Sequence, residues 1–228
     1  MKRLSALVLL IILVSLPFLS LAAQFEPNHA IAYLEAKFTC GCERGGSGAM
    51  IGKYGMVTAA HNLYCQYHSQ PLKYCNFYFG AKSVNSCWYR HTGKFTYRAY
   101  TRFTNGYNSA DDIGYIVFDT PVGNKTGWFG WQTGSDSYLN EEYTHVQTYD
   151  YSRHLQEVFS IQYVRDSKQI YWKGWTSGTE GGPVYFWYEG MEYPEVVGVY
   201  TSHDSYGYGY GRRLTTNVVD DMRAAGAF

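Results

Sequence analysis

Ser177-Gly178-Thr179-Glu180-Gly181-Gly182-Pro183-Val184 reads as a tight glycine elbow running into an apolar strand. Glycine supplies backbone conformations that other residues adopt only under strain, so three of them around one acid mark a sharp turn. Two earlier segments bear on it. Gly46-Ser47-Gly48-Ala49-Met50-Ile51-Gly52 is followed by Met56-Val57-Thr58-Ala59-Ala60-His61, a strand-like run ending on histidine. Asp111-Asp112-Ile113-Gly114-Tyr115-Ile116-Val117 sets two acids before an apolar run. Singly, such a histidine is more often structural, such an acid a cap, and Gly-Gly-Pro a turn. Together, in the order His, Asp, glycine elbow, they are far more specific.

The rest of the chain reads as β-structure. Short apolar or aromatic runs recur between Gly, Asn, Asp and Ser clusters: Gly48 to Val57, Phe77 to Phe79, Phe95 to Tyr100, Ile113 to Phe118, Val158 to Val164, Pro183 to Tyr188 and Val196 to Tyr200. That spacing predicts an all-β sandwich or barrel. The 24 tyrosines among 228 residues agree, because the phenol ring packs well on a pleated surface. Gly123 to Gly127 reads as a turn between two halves, and Asn124-Lys125-Thr126 is a glycosylation sequon. One helix is expected at the end, capped by Thr215 or Thr216, with Val218, Val219 and Met222 on a face packed on the second half. The tract Ser205 to Gly211 alternates Tyr and Gly and reads as a flexible loop or a kinked edge.

Lys2 and Arg3 precede an apolar stretch, Leu4 to Leu21, with small residues at Ser20 and Ala22. A secretory signal cleaved after Ala22 is predicted; uncleaved, the stretch would anchor the chain in a membrane. Export permits disulfides, and five cysteines (Cys40, Cys42, Cys65, Cys75, Cys87) leave one over. Cys40-Gly41-Cys42 has no second ligand pair at zinc-finger spacing and no HExxH occurs, so no metal and no cofactor is expected. A formal net charge of zero gives no reason to expect nucleic acid, or a membrane after signal cleavage, as partner.

The three segments resemble the His, Asp and Ser motifs of the trypsin-like serine proteases. Thr58-Ala59-Ala60-His61 matches the histidine motif, Asp112-Ile113-Gly114 resembles the Asp motif, and Gly178-Thr179-Glu180-Gly181-Gly182-Pro183 matches Gly-x-Ser-Gly-Gly-Pro everywhere except the serine. Val197 to Ser202 resembles the strand lining the cleft, and Arg213-Leu214-Thr215 with the last helix resembles the family's close. The likeness spans about residues 40 to 225 and leans toward the bacterial glutamyl-endopeptidase branch. It implies two packed six-stranded antiparallel β-barrels with a C-terminal helix: residues 1–22 signal, 23–122 the first barrel, 123–228 the second.

It also implies roles. A serine hydroxyl needs a base to take its proton and a carboxylate to orient that base. His61 would be the base, Asp112 its orienter (Asp111 being the adjacent alternative), and the N–H groups of Gly178 and Glu180 the oxyanion donors. Gly174, Thr201, Ser202 and His203 would line the substrate pocket. Cys65 would pair with Cys42 or with Cys40, and Cys75 with Cys87. Three positions depart from the pattern. Glu180 holds the nucleophile position, and attack by a carboxylate on an amide would give an unstable anhydride; it is expected instead to pair with His61. Ser177 and Thr179 are the neighbouring hydroxyls. Thr179 replaces the acid that receives a freed N-terminus in animal zymogens, and Tyr200 replaces a histidine that binds acidic side chains. A secreted pseudoprotease that binds peptide or protein in its cleft is the first expectation. An active secreted endopeptidase and an aromatic-rich carbohydrate-binding or adhesion module are the alternatives.

Overall fold

The computed structural model describes residues 26–228, so the signal segment and its cleavage point lie outside the described residues. The first half forms β1 (Ile31–Phe38), β2 (Glu43–Met50), β3 (Gly55–Thr58), β4 (Tyr64–Cys65), β5 (Gln70–Phe79), β6 (Tyr89–His91), β7 (Phe95–Ala99) and β8 (Gly114–Phe118). Their order is β4-β5-β1-β2-β3-β8-β7, with β6 on β5. β7 curls back toward β5, where the Tyr97 hydroxyl donates to the Leu72 carbonyl at 3.1 Å. The interior is aromatic: Phe77 is fully buried and meets Phe95 and Phe118 edge-on at 5.3 and 4.9 Å.

The second half forms β9 (Gly130–Trp131), β10 (Glu142–Tyr149), β11 (Leu155–Val164), β12 (Gln169–Lys173), β13 (Pro183–Phe186), β14 (Glu195–His203) and β15 (Tyr208–Arg213). The order β13-β10-β11-β12-β15-β14 closes on itself because β13 also pairs with β14. β9 lies outside this ring, parallel to β14. A short helix, Gly123–Thr126, joins the two halves where the sequence has its turn. The architecture is thus two packed antiparallel barrels and a C-terminal helix. No helix among the described residues is long and apolar enough to cross a membrane.

Two expectations fail here. The terminal helix, Thr216–Ala224, does not rest on the second barrel alone. Val218 and Met222 join the core cluster that holds the first barrel's residues, and beyond the helix Ala227 closes over Gly52 and Gly55. Asp221 accepts from the Tyr100 hydroxyl at 3.0 Å and pairs with Arg98 at 3.3 Å. The helix therefore straps the end of the chain back onto the first half. Its sequence shows which face is apolar but not which neighbour offers the complementary surface.

The Tyr-Gly tract is also not a loose loop. From Tyr208 on it is an interior strand, paired with β12 on one side and β14 on the other. The reason is Trp172, fully buried in the second core. A Cβ at Gly209 would lie 2.6 Å from the indole and one at Gly211 would lie 3.2 Å from it, so the ring fills the room that two side chains would take. Gly209→Ala should therefore cost about 1–3 kcal/mol by overpacking. Chemical denaturation of Gly209→Ala, Trp172→Phe and the double variant is the check, and the double variant should lose less than the sum of the two. Strict additivity would separate the glycine from the indole.

Candidate functional site

The site lies where the barrels meet. His61 sits in a single 3₁₀ turn, Ala60–Asn62, directly after β3, and Asp112 ends another such turn just before β8. β3 and β8 are hydrogen-bonded neighbours, so one sheet delivers both side chains to the same place. Asp112 holds the histidine twice. Its Oδ2 is 2.7 Å from His61 Nδ1, and its Oδ1 accepts the His61 backbone N–H at 3.0 Å. Both residues are buried. With Nδ1 engaged by Asp112, Nε2 is the ring nitrogen left to face Glu180. Asp111 goes elsewhere: Lys168 of the second half donates to it at 2.5 Å, and Asn108 reaches its other oxygen. Of the two adjacent acids, Asp112 is the one that contacts His61.

The second barrel brings in the elbow. Gly181 has φ +102°, and a Cβ there would run into Ser47, Asn62 and Thr58 of the first barrel, so this position admits only glycine. The Glu180 carbonyl accepts from Ser47 N–H at 2.8 Å and from Asn62 Nδ2 at 2.9 Å. Thr58 donates to the Ser47 carbonyl at 2.6 Å and accepts from Asn62 at 3.1 Å. A closed ring stands beside it. Thr179 Oγ1 donates to the Tyr149 carbonyl at 2.8 Å, so its contact with Ser47 Oγ at 3.0 Å must be donated by Ser47. Tyr149 N–H donates back to Ser47 Oγ at 2.9 Å. Thr179 thus pins the elbow with neutral hydrogen bonds, where the resemblance places an acid waiting for a freed amine.

Glu180 points its carboxylate toward Nε2 of His61, with Oε2 4.0 Å away. That distance is at the outer limit of an ion pair and too long for a hydrogen bond, so the contact is looser than the pairing expected from the sequence. Tyr200, buried beneath, has its phenol pushed well up from its ordinary value by burial and, next, by the Glu180 charge. No other hydroxyl of the elbow takes Glu180's place. Thr179 is buried in its ring, and Ser177 turns outward to Gln156 at 3.5 Å. The N–H groups of Gly178 and Glu180 make no hydrogen bond to another described residue.

The expected pocket residues come together beyond the elbow. Gly174, at φ +99°, donates its N–H to the Gly207 carbonyl at 2.7 Å, and Thr201 donates to the Tyr210 carbonyl at 3.3 Å. His203 stacks on Trp175, ring centroids 4.3 Å apart, and its Nδ1 lies 3.0 Å from the Tyr200 hydroxyl. Ser202 lies beside them on β14. The Trp175–His203 stack was not foreseen; only the pairing of Gly174 with the Tyr-Gly tract brings those rings together.

The cysteines divide the two expected pairings. All five are unbonded. Cys75 lies opposite Ala36, whereas Cys87 precedes Trp88, whose N–H donates to the Phe79 carbonyl. The four residues from 75 to 79 span about 13 Å of strand, beyond the roughly 7 Å that a disulfide bridges, so Cys75–Cys87 is not a pair. Cys40, Cys42 and Cys65 do converge, and His68 joins them. That donor set escapes a spacing rule because its halves come from two different hairpins.

No protein-family model matches this sequence, and no curated protein matches it. Solved structures do. A Glu endopeptidase superposes with TM-score 0.73 at 17% identity, covering 90% of this chain and 94% of that one. The fold is that of the trypsin-like serine proteases. A thermostable serine protease from an extremophilic microorganism gives TM-score 0.74 at 12% identity, over 87% of this chain and 97% of that one. The protease Anisep from Arthrobacter nicotinovorans gives 0.73 at 16%, over 89% and 97%.

The ring around Ser47 gives a direct test. Ser47→Ala leaves the buried Tyr149 N–H without its acceptor and should cost about 1–3 kcal/mol. Thr179→Val in that background should add less than it does in the wild type, measured as a double-mutant cycle by urea denaturation. A neutral Ser47→Ala would show that the ring does not hold the elbow.

Proposed function

We propose that this chain is a secreted pseudoprotease: it keeps the cleft of a trypsin-like serine protease, binds peptide or protein there, and lacks the hydrolytic step because Glu180 replaces the nucleophile. The observation that carries the reading is the carboxylate of Glu180, and not a hydroxyl, facing His61 Nε2 across 4.0 Å. The surrounding parts support a protease ancestry. His61 is held by Asp112 through two hydrogen bonds, as a general base requires. The free N–H groups of Gly178 and Glu180 are suited to an oxyanion. A carboxylate beside them repels the negative charge that a tetrahedral intermediate would place there, and an acyl-carboxylate product would be an anhydride.

Restoring the hydroxyl tests this. Glu180→Ser should hydrolyse an unfolded protein substrate at least about a thousandfold faster than the wild type, the scale expected for a triad nucleophile. Adding Asp112→Asn to Glu180→Ser should remove most of that gain, while adding Asp111→Asn should leave it within a few-fold. Wild-type activity equal to that of Glu180→Ser, and abolished by His61→Ala, would refute the pseudoprotease and establish an active endopeptidase.

A further inference from the structure

We propose that Cys40, Cys42, Cys65 and His68 form a metal site for a thiophilic divalent cation, of which zinc is the reference case, at the contact of two hairpin tips beside the cleft. The four ligand atoms lie within 4.8 Å of one another. Cys42 Sγ is 3.3 Å and Cys65 Sγ 3.6 Å from His68 Nδ1. In tetrahedral zinc with Zn–S of about 2.3 Å and Zn–N of about 2.0 Å, sulfur and nitrogen ligands stand about 3.5 Å apart. Those two sulfur–nitrogen separations already match tetrahedral edges, and three thiolates with one imidazole are a structural zinc set.

The backbone explains the convergence. Between β1 and β2 the chain turns through residues 39–42, closed by Phe38 N–H to the Cys42 carbonyl and Gly41 N–H to the Phe38 carbonyl, both at 2.9 Å. Gly41, at φ +89° with open space around it, separates the two cysteines of this turn. The second tip joins β4 to β5 and is tightened by Ser69 at φ +50°. It supplies Cys65 from its first strand and His68 from its turn. Thr39 fastens one tip to the other, its N–H donating to the Pro71 carbonyl at 3.1 Å and its hydroxyl to Gln70 at 2.8 Å. Cys65 is buried, Cys40 and Cys42 are partly so, and His68 is exposed, which leaves a path for the ion.

A disulfide is the competing use of these cysteines. Any one pair leaves the third thiol unused and gives the imidazole no task, whereas a metal engages all four groups. The site would tie the turn after His61 to the β1–β2 hairpin, whose Arg44 already reaches the His61 carbonyl at 3.4 Å.

The test uses the purified full chain, reduced and under inert gas, titrated with Co(II) and then Zn(II). Expected are a thiolate-to-cobalt charge-transfer band with the intense visible bands of tetrahedral cobalt, their loss on adding zinc, and a zinc-dependent rise in Tm. His68→Ala is the deciding variant, since an exposed residue can be replaced without unfolding the barrel and no disulfide needs it. It should bind zinc at least about tenfold more weakly, while Cys75→Ser and Cys87→Ser keep the cobalt spectrum. Absence of the charge-transfer band with all thiols reduced, or unchanged affinity in His68→Ala, would overturn the proposal. So would peptide mapping that finds Cys65 bridged to Cys40 or Cys42 in protein that takes up no metal even after reduction.

Discussion

The carbonyl of Glu180 takes two hydrogen bonds from the opposite barrel, one from the Ser47 backbone and one from the Asn62 side chain. Those bonds dock the second barrel's elbow onto the first barrel's histidine turn, and the facing of His61 and Glu180 depends on that docking. Asn62 follows His61 directly, so the residue that grips the elbow and the one that faces it move as one rigid turn. Ser47 belongs to β2, the neighbour of β3, which delivers His61. Displacing any of these would separate Nε2 from the side chain at position 180. Close approach leaves no space for a Cβ at 181, which is why glycine stands there.

Around this contact the polar groups are used economically. Asp112 serves both the ring and the backbone of His61. Its neighbour Asp111 turns the other way and fastens Lys168 of the second half. Two adjacent acids thus do two jobs, one orienting the imidazole and one joining the barrels. Arg153, on the β10–β11 turn, adds another joint. Its guanidinium lies 3.7 Å from the Tyr78 ring centroid and 3.2 Å from Glu35, both in the first barrel. Burial between aromatic faces and a carboxylate makes such a contact less sensitive to salt than an exposed pair.

Much of this was legible in the sequence where backbone constraint and chemistry coincide. The elbow needs its glycines, the base needs its carboxylate, and strands need β-branched or aromatic runs, so His61, Asp112 and Glu180 could be placed in advance. What escaped depends on long-range packing. The helix face Val218–Met222 reads the same whichever barrel receives it. Trp172 lies more than thirty residues before the glycines that accommodate it, so the alternating tract looked like low complexity. β1, an interior strand of the first sheet, escapes because Ile31–Phe38 carries no turn signal or motif of its own. The Cys and His cluster required two hairpin tips to be brought together, which local spacing does not encode.

The alternating strand β15 has one more effect. With glycines directed inward at 209 and 211, the tyrosines at 208 and 210 face outward, where both lie within 6.4 Å of the Tyr171 ring, itself 5.4 Å from Tyr163. Arg165 covers the end of this row, 5.3 Å from the Tyr210 centroid. The strand thus assigns bulk and emptiness by residue parity. Over Tyr208 to Gly211, positions 208 and 210 carry partly exposed rings, and positions 209 and 211 carry no side chain because Trp172 fills that space from across the barrel. Substitutions at 209 and 211 would therefore meet the indole, while those at 208 and 210 would alter only the partly exposed tyrosine row.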